Sequence, residues 1–193
     1  MYLAKCIIPD LLGGPTAGYP SSVGRSRRRF TTAPSLTNLG IRSRGQALYL
    51  EIMESRRGLR ATGQVGLLDA LHSTALCKAM RSQLPEEDLG RVVRQAILEK
   101  RTQFTETDRK ALLRAIGDVR TPGHAIDDQE NEVGMRCVAA PIINADGWPL
   151  GALSISGPTS RMTPEAVTSL GTQLRESCEL IASRLAEGNA TGQ

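Results

Sequence analysis

Aromatic side chains are scarce in this chain of 193 residues, which has two Phe, three Tyr and one Trp. A core of ordinary size must therefore rest on Leu, Ile, Val, Ala and Met. Long apolar runs are missing as well. No stretch approaches the roughly 20 residues that span a bilayer, and Pro9 and Asp10 break the short apolar opening, which argues against a secretory signal. Together these features point to the cytoplasm, without a membrane partner. Histidine is limited to His72 and His124, and the four cysteines (Cys6, Cys77, Cys137 and Cys178) form no CxxC pair. Neither a zinc site nor the disulfide framework of small secreted chains is expected from such spacing, and no cofactor is implied.

Acidic residues are nearly absent from one segment. Residues 1–35 hold Lys5, Arg25, Arg27, Arg28 and Arg29 against Asp10 alone, so this segment carries the entire net charge of +4. The 19 basic and 19 acidic groups of the remainder cancel, and the basic balance describes a leader rather than the main domain. The leader also contains four of the ten prolines and shows neither helical nor strand period, as expected of a disordered or loosely attached segment. Its RSRRR run suggests either a nucleic-acid contact or a solvated tail. The second is preferred, because a short arginine run without a folded platform binds phosphate weakly and salt-sensitively.

Order is expected from residue 36. TNLGIRS, RG and QALYLEIMES form a hairpin pattern, with Leu48, Leu50 and Ile52 on one face and Tyr49, Glu51 and Met53 on the other. RGLRATGQVG follows as a possible third strand and loop. HSTALCKAMRS starts a helix capped by Ser73 or Thr74. LPEEDLGRVVRQAILEK is a second helix, with acids in its first turn and Val92, Val93, Ala96 and Ile97 as its apolar stripe. TETDRKALLRAIGDVRTPG is a third, with capping threonines and Leu112, Leu113 and Ile116 facing inward. A strand pair MRCVAAPII and WPLGALSIS precedes a long closing helix, which Thr163 caps. Val167, Leu170, Leu174, Cys178, Ile181 and Leu185 line that helix at i, i+3/i+4 spacing, which makes Cys178 a core residue. Strands, then helices, then a hairpin and a helix describe an α+β fold in which an antiparallel sheet carries packed helices.

The second hairpin contains the chemistry. Asp146-Gly147 is a two-residue turn signal, and centring the turn there sets Cys137 opposite Ser156 and Ala139 opposite Ser154. Paired residues share a face, so Met135, Cys137, Ala139, Ala152, Ser154 and Ser156 lie together. Val138, Ala140, Ile142, Leu153 and Ile155 form the opposite, packing face, which also takes Arg136. The first face is small and mildly polar. A buried hydroxyl without a partner costs roughly 1–3 kcal/mol, so water, a protein group or a ligand must satisfy these serines. Asp127, Asp128, Glu130 and Glu132 lie just upstream and are expected to overhang the sheet's end, and the HSTAL helix start can offer backbone amides to an anion.

The ordered set LHSTALCKAM, LPEEDL, HAIDDQENEVGMRCVAAPI and GALSISGPTSRMTPE resembles the effector-binding domain of the IclR family of bacterial transcriptional regulators. The resemblance covers roughly residues 36–187, with 1–35 as the leader and 188–193 as a flexible tail. It implies a GAF- or profilin-like fold whose curved antiparallel sheet forms a cup for a small organic or aromatic acid. It also implies assembly as a homodimer or homotetramer. Transferred residue by residue, the effector contacts fall at Ala75 and Leu76 through backbone amides, and at Asp127, Cys137, Ser154 and Ser156. Of these, Cys137, Ser154 and Ser156 lie on the face derived from alternation. Two departures stand out. Cys77 replaces the family's usual glycine, which implies a narrower cup. Residues 1–35 have no room for the three helices of a winged helix-turn-helix, so DNA contact is expected only through a reader not evident in this sequence. A misplaced start, a frameshift and a genuine truncation all remain open.

Two other function classes compete with a sensor. A thiol-dependent enzyme would use Cys137 with His72, but a mid-strand cysteine without a basic neighbour lacks the setting of a thiolate. An oligomerisation module would carry the same fold with an empty cup.

Overall fold

The first strand takes shape where apolar residues begin to alternate with polar ones, at Leu36. The computed structural model describes residues 36–43, 46–53, 66, 68–69 and 72–190. The expectations for residues 1–35, and for a strand over 57–66 apart from Gly66, lie outside the described residues, as does the Met53 side chain. Strands β1 (Leu36–Ser43), β2 (Gln46–Met53) and β3 (Leu68–Asp69) come first. Helices α1 (Ala75–Ser82), α2 (Glu86–Gln95) and α3 (Arg109–Asp118) follow. Strands β4 (Ala125–Asp128), β5 (Met135–Ile143) and β6 (Pro149–Pro158) precede α4 (Pro164–Ala190), which enters the segment 188–193 expected as a tail. The six strands form one antiparallel sheet in the order β3-β2-β1-β6-β5-β4, as an α+β fold requires. No helix among the described residues is long and apolar enough to cross a membrane.

The β5–β6 register is the expected one, with Cys137 opposite Ser156 and Ala139 opposite Ser154. Its turn differs. The Asn144 amide donates to the Trp148 carbonyl and the Gly147 amide to the Asn144 carbonyl, with Gly147 at φ +79. This is a three-residue loop closed by a left-handed glycine rather than a two-residue turn. A bulge between Ile142 and Ile143 then restores the anticipated pairing.

A second bulge corrects the reading of β2. Gly40 pairs with Tyr49 and Leu39 with Glu51, so Leu50 is the extra residue and the alternation breaks there. Leu48, Leu50 and Ile52 therefore do not share one face, and Leu50 is exposed.

Both faces of the sheet are covered. Leu39, Val138, Ala140, Ile142, Leu153 and Ile155 pack on Val167, Leu174, Cys178 and Ile181 of α4, which confirms the expected packing face and stripe. The Cys178 thiol donates to the Ala140 carbonyl, and burial pushes it up to about 12. The Thr163 hydroxyl accepts from the Ala166 amide and caps α4, as expected. On the other face, Ala75, Leu76, Ala79 and Met80 of α1 press on Ala47, Ala125, Ala139 and Ala152. Every residue of α1 is buried. Val119 closes this cluster from the end of α3, and Arg120 donates to the carbonyls of Ser82, the last residue of α1, and of Leu84 just beyond it. Leu84, Leu89, Val93, Leu112 and Ile116 form a separate core between α2 and α3.

Two helical expectations need correction. Ile97 is 86% exposed rather than part of the α2 stripe, because the chain turns extended at Ala96 (ψ 141). Asp108, not a threonine, caps α3 by accepting from the Ala111 amide. Thr102 and Thr105 instead donate to the Gln129 and Glu130 carbonyls, at 2.7 and 2.6 Å, and pin the α2–α3 connection to the loop after β4.

Candidate functional site

Register alone builds the polar end of the α1-facing surface. Asp127, Cys137 and Ser156 form one row across β4, β5 and β6. Ala125, Ala139, Ser154 and Asn38 form the next, extending onto β1. In the third row Ala152 stands opposite Gly40. That row is filled: a Cβ on Gly40 would lie 2.5 Å from Leu76 Cδ2, so the Leu76 side chain rests where only glycine fits. The alanines of the second row are likewise sealed under α1. Beyond them lie Asp127, Cys137, Ser154, Ser156 and Asn38. Ser154 and Asp127 are buried, while Cys137 and Ser156 are half-buried.

The serines are satisfied by a residue that sequence reasoning missed. Asn38 Nδ2 donates to Ser154 Oγ at 3.2 Å and to Ser156 Oγ at 3.4 Å. A polar residue set between leucines in LTNLG was a faint signal of a buried role. The partner could not be read, because the β1–β6 pairing joins segments more than 100 residues apart.

Asp127 was expected in a segment overhanging the sheet. It lies instead in β4, a four-residue edge strand, directly opposite Cys137. Its Oδ1 accepts from the Glu130 and Asn131 amides, at 2.8 and 3.3 Å. Burial nevertheless pushes its carboxyl up to about 7, against the opposing charge of Lys78 and with that of Glu130. Lys78, 5% exposed, places Nζ 2.5 Å from Glu130 Oε1. The loop turns through Gln129, a non-glycine at φ 64.

The start of α1 is tied to the same loop. Ser73 Oγ donates to Asn131 Oδ1 at 2.9 Å, and Arg101 does the same from the α2–α3 connection. Thr74 is the cap, its hydroxyl accepting from the Cys77 amide at 3.3 Å. The Ala75 and Leu76 amides precede the intrahelical ladder, so their N–H groups are the ones a helix start can offer to an acceptor. Cys77 itself is buried in the alanine-rich cluster under α1.

Two other candidates fall elsewhere. Arg136 pairs with Asp128 at 2.9 Å on the α4 side of the sheet, the face expected of it. His72 is buried and donates through Nε2 to the Glu99 carbonyl at 2.8 Å, while its Nδ1 has no hydrogen-bond partner among the described residues.

Similarity to known proteins shows the family. The chain is 32% identical over 167 residues to the HTH-type transcriptional regulator BhcR of Paracoccus denitrificans, across 86% of this chain and 60% of that protein. It is 30% identical over 159 residues to the HTH-type transcriptional repressor AllR of Escherichia coli, across 82% of this chain and 59% of that protein. It thus spans about three fifths of the length of these curated relatives. The crystal structure of Thermotoga maritima IclR has the same fold, with a TM-score of 0.80 at 24% identity, covering 95% of this chain and 67% of that one. Residues 31–183 match the family described as bacterial transcriptional regulator IclR C-terminal, and the chain belongs to that family.

Proposed function

We propose that residues 36–187 form a sensing domain that binds a small organic or aromatic acid and thereby regulates transcription. The observation that carries this reading is the joint placement of Asp127, Cys137, Ser154 and Ser156 on the sheet face beneath α1, in a member of a regulator family. The start of α1 supplies the Ala75 and Leu76 amides for a carboxylate. The serine hydroxyls and the thiol line the remainder, and Asp127 meets a ligand hydroxyl. Cys77 and Leu76 narrow the space and favour a compact ligand.

The sensor works in the cytoplasm as a homo-oligomer of two or four copies. It reaches DNA through a helix-turn-helix reader. A sensor fits the residues better than an enzyme does. The direct cross-strand neighbours of Cys137 are Asp127 and Ser156, neither of which stabilises a thiolate.

A ligand that binds only the folded state raises the melting temperature, by an amount that grows with its concentration over Kd. A broad panel of small carboxylic acids, tested by thermal unfolding, is expected to contain stabilising members. No stabilisation across the panel would leave an oligomerisation module with an unused cup.

A further inference from the structure

The hydrogen bonds around Asn38 have a direction. The side-chain amide has two N–H protons, and they go to Ser154 Oγ and Ser156 Oγ. A serine hydroxyl has one proton and two lone pairs. Each oxygen here already accepts from Asn38, so its own proton must point elsewhere. Neither hydroxyl donates to another group among the described residues. Both serines lie on the face shared with Cys137 and Asp127, and Ser156 is half-buried rather than sealed.

We propose that Asn38 is the positioning residue that sets the polarity of the site, turning both serine hydroxyls into donors so that the site selects a carboxylate over its isosteric primary amide. The inference rests on the sensing role proposed above and adds the residue that determines selectivity. Its physical basis is the asymmetry of buried hydrogen bonds. With one carboxylate oxygen on the α1 amides, the other accepts from both hydroxyls, whereas an amide NH2 in that second place confronts donors with donors and leaves them unpaired. A single mismatched contact of this kind is expected to cost at least about tenfold in affinity.

The test uses the full chain and two variants. Asn38→Asp keeps the shape but can only accept, so the serine protons turn towards it and the site presents lone pairs beside a negative charge. Asn38→Leu removes the polarity without adding charge, and carries the same test should a buried aspartate prevent folding. Each acid that stabilises the wild type in the panel is titrated by calorimetry alongside its primary amide. The readout is the ratio of the two Kd values, which a purely structural role for Asn38 would leave unmoved. The expected result is at least a tenfold preference for the acid in wild type, falling towards unity in Asn38→Leu and inverting in Asn38→Asp. Variants that lose affinity for acid and amide in equal proportion, or that keep the wild-type ratio, overturn the role of Asn38 and leave the sensor standing. A wild type that no acid stabilises overturns both.

Discussion

Lys78 and Glu130 form a part-buried ion pair, 2.5 Å from Nζ to Oε1, that ties the middle of α1 to the loop after β4. Asp127, three residues before Glu130, is held by backbone amides and feels the Lys78 charge without taking its ammonium. Its carboxyl is raised by burial from 3.8 to about 7, so the folded state holds a proton that the unfolded chain has already released. The stability contributed by this group is complete below about pH 4 and is lost as pH rises through 7. Asp127→Asn removes that slope. Relative to wild type, the variant is expected to gain on the order of 2–3 kcal/mol between pH 5 and pH 8, read from urea unfolding at each pH. Parallel pH curves for the two proteins would contradict the assignment.

The contact of Leu76 with Gly40 predicts a coupled pair. Gly40→Ala drives a methyl into Leu76 Cδ2 and should cost about 1–3 kcal/mol. Leu76→Ala leaves a cavity beneath α1 and should cost about 2–5 kcal/mol. The double variant is expected to cost less than the two together, since the truncated side chain makes room for the methyl. Gly151→Ala serves as the control. Its Cβ would meet the Gly40 carbonyl at 2.7 Å, a backbone atom that truncating Leu76 does not move. Strict additivity for the Gly40 pair would mean that Leu76 does not occupy that space.

Arg120 secures the far end of α1. Nε and Nη2 donate to the Ser82 and Leu84 carbonyls at 2.6 and 2.7 Å, satisfying acceptors that a helix end leaves open. The fork geometry matters more than the charge. Arg120→Lys is therefore expected to lose about 1–2 kcal/mol, nearly as much as Arg120→Met, in chemical denaturation. Full stability in the lysine variant would show that charge alone suffices.

Much of this arrangement was legible in the sequence, for reasons that can be assigned to residues. Asp146-Gly147 marked the turn, and the apolar set Val138, Ala140, Ile142, Leu153 and Ile155 marked the packed face, so the partners of Ser154 and Ser156 on β5 followed. The i, i+3/i+4 series of α4 was equally plain. What escaped notice depended on distant pairing or on local irregularity. Asn38 reaches Ser154 only through β1–β6 pairing, which no local pattern encodes. At four residues, β4 was too short for its alternation to register, so Asp127 was placed outside the sheet. The Leu50 bulge and the break at Ala96 are departures from periodicity, invisible to a method that counts periods.

The central claim, that the surface around Ser154 and Ser156 receives a small acid, is tested most directly by calorimetric titration of the best-stabilising acid into wild type and into Ser154→Ala/Ser156→Ala. The double variant leaves the Asn38 amide unpaired and should lose about 1–3 kcal/mol of stability while still folding. The expected result is an affinity reduced at least tenfold in a variant whose melting curve remains cooperative. Wild-type affinity in that folded variant would remove both serines from the site.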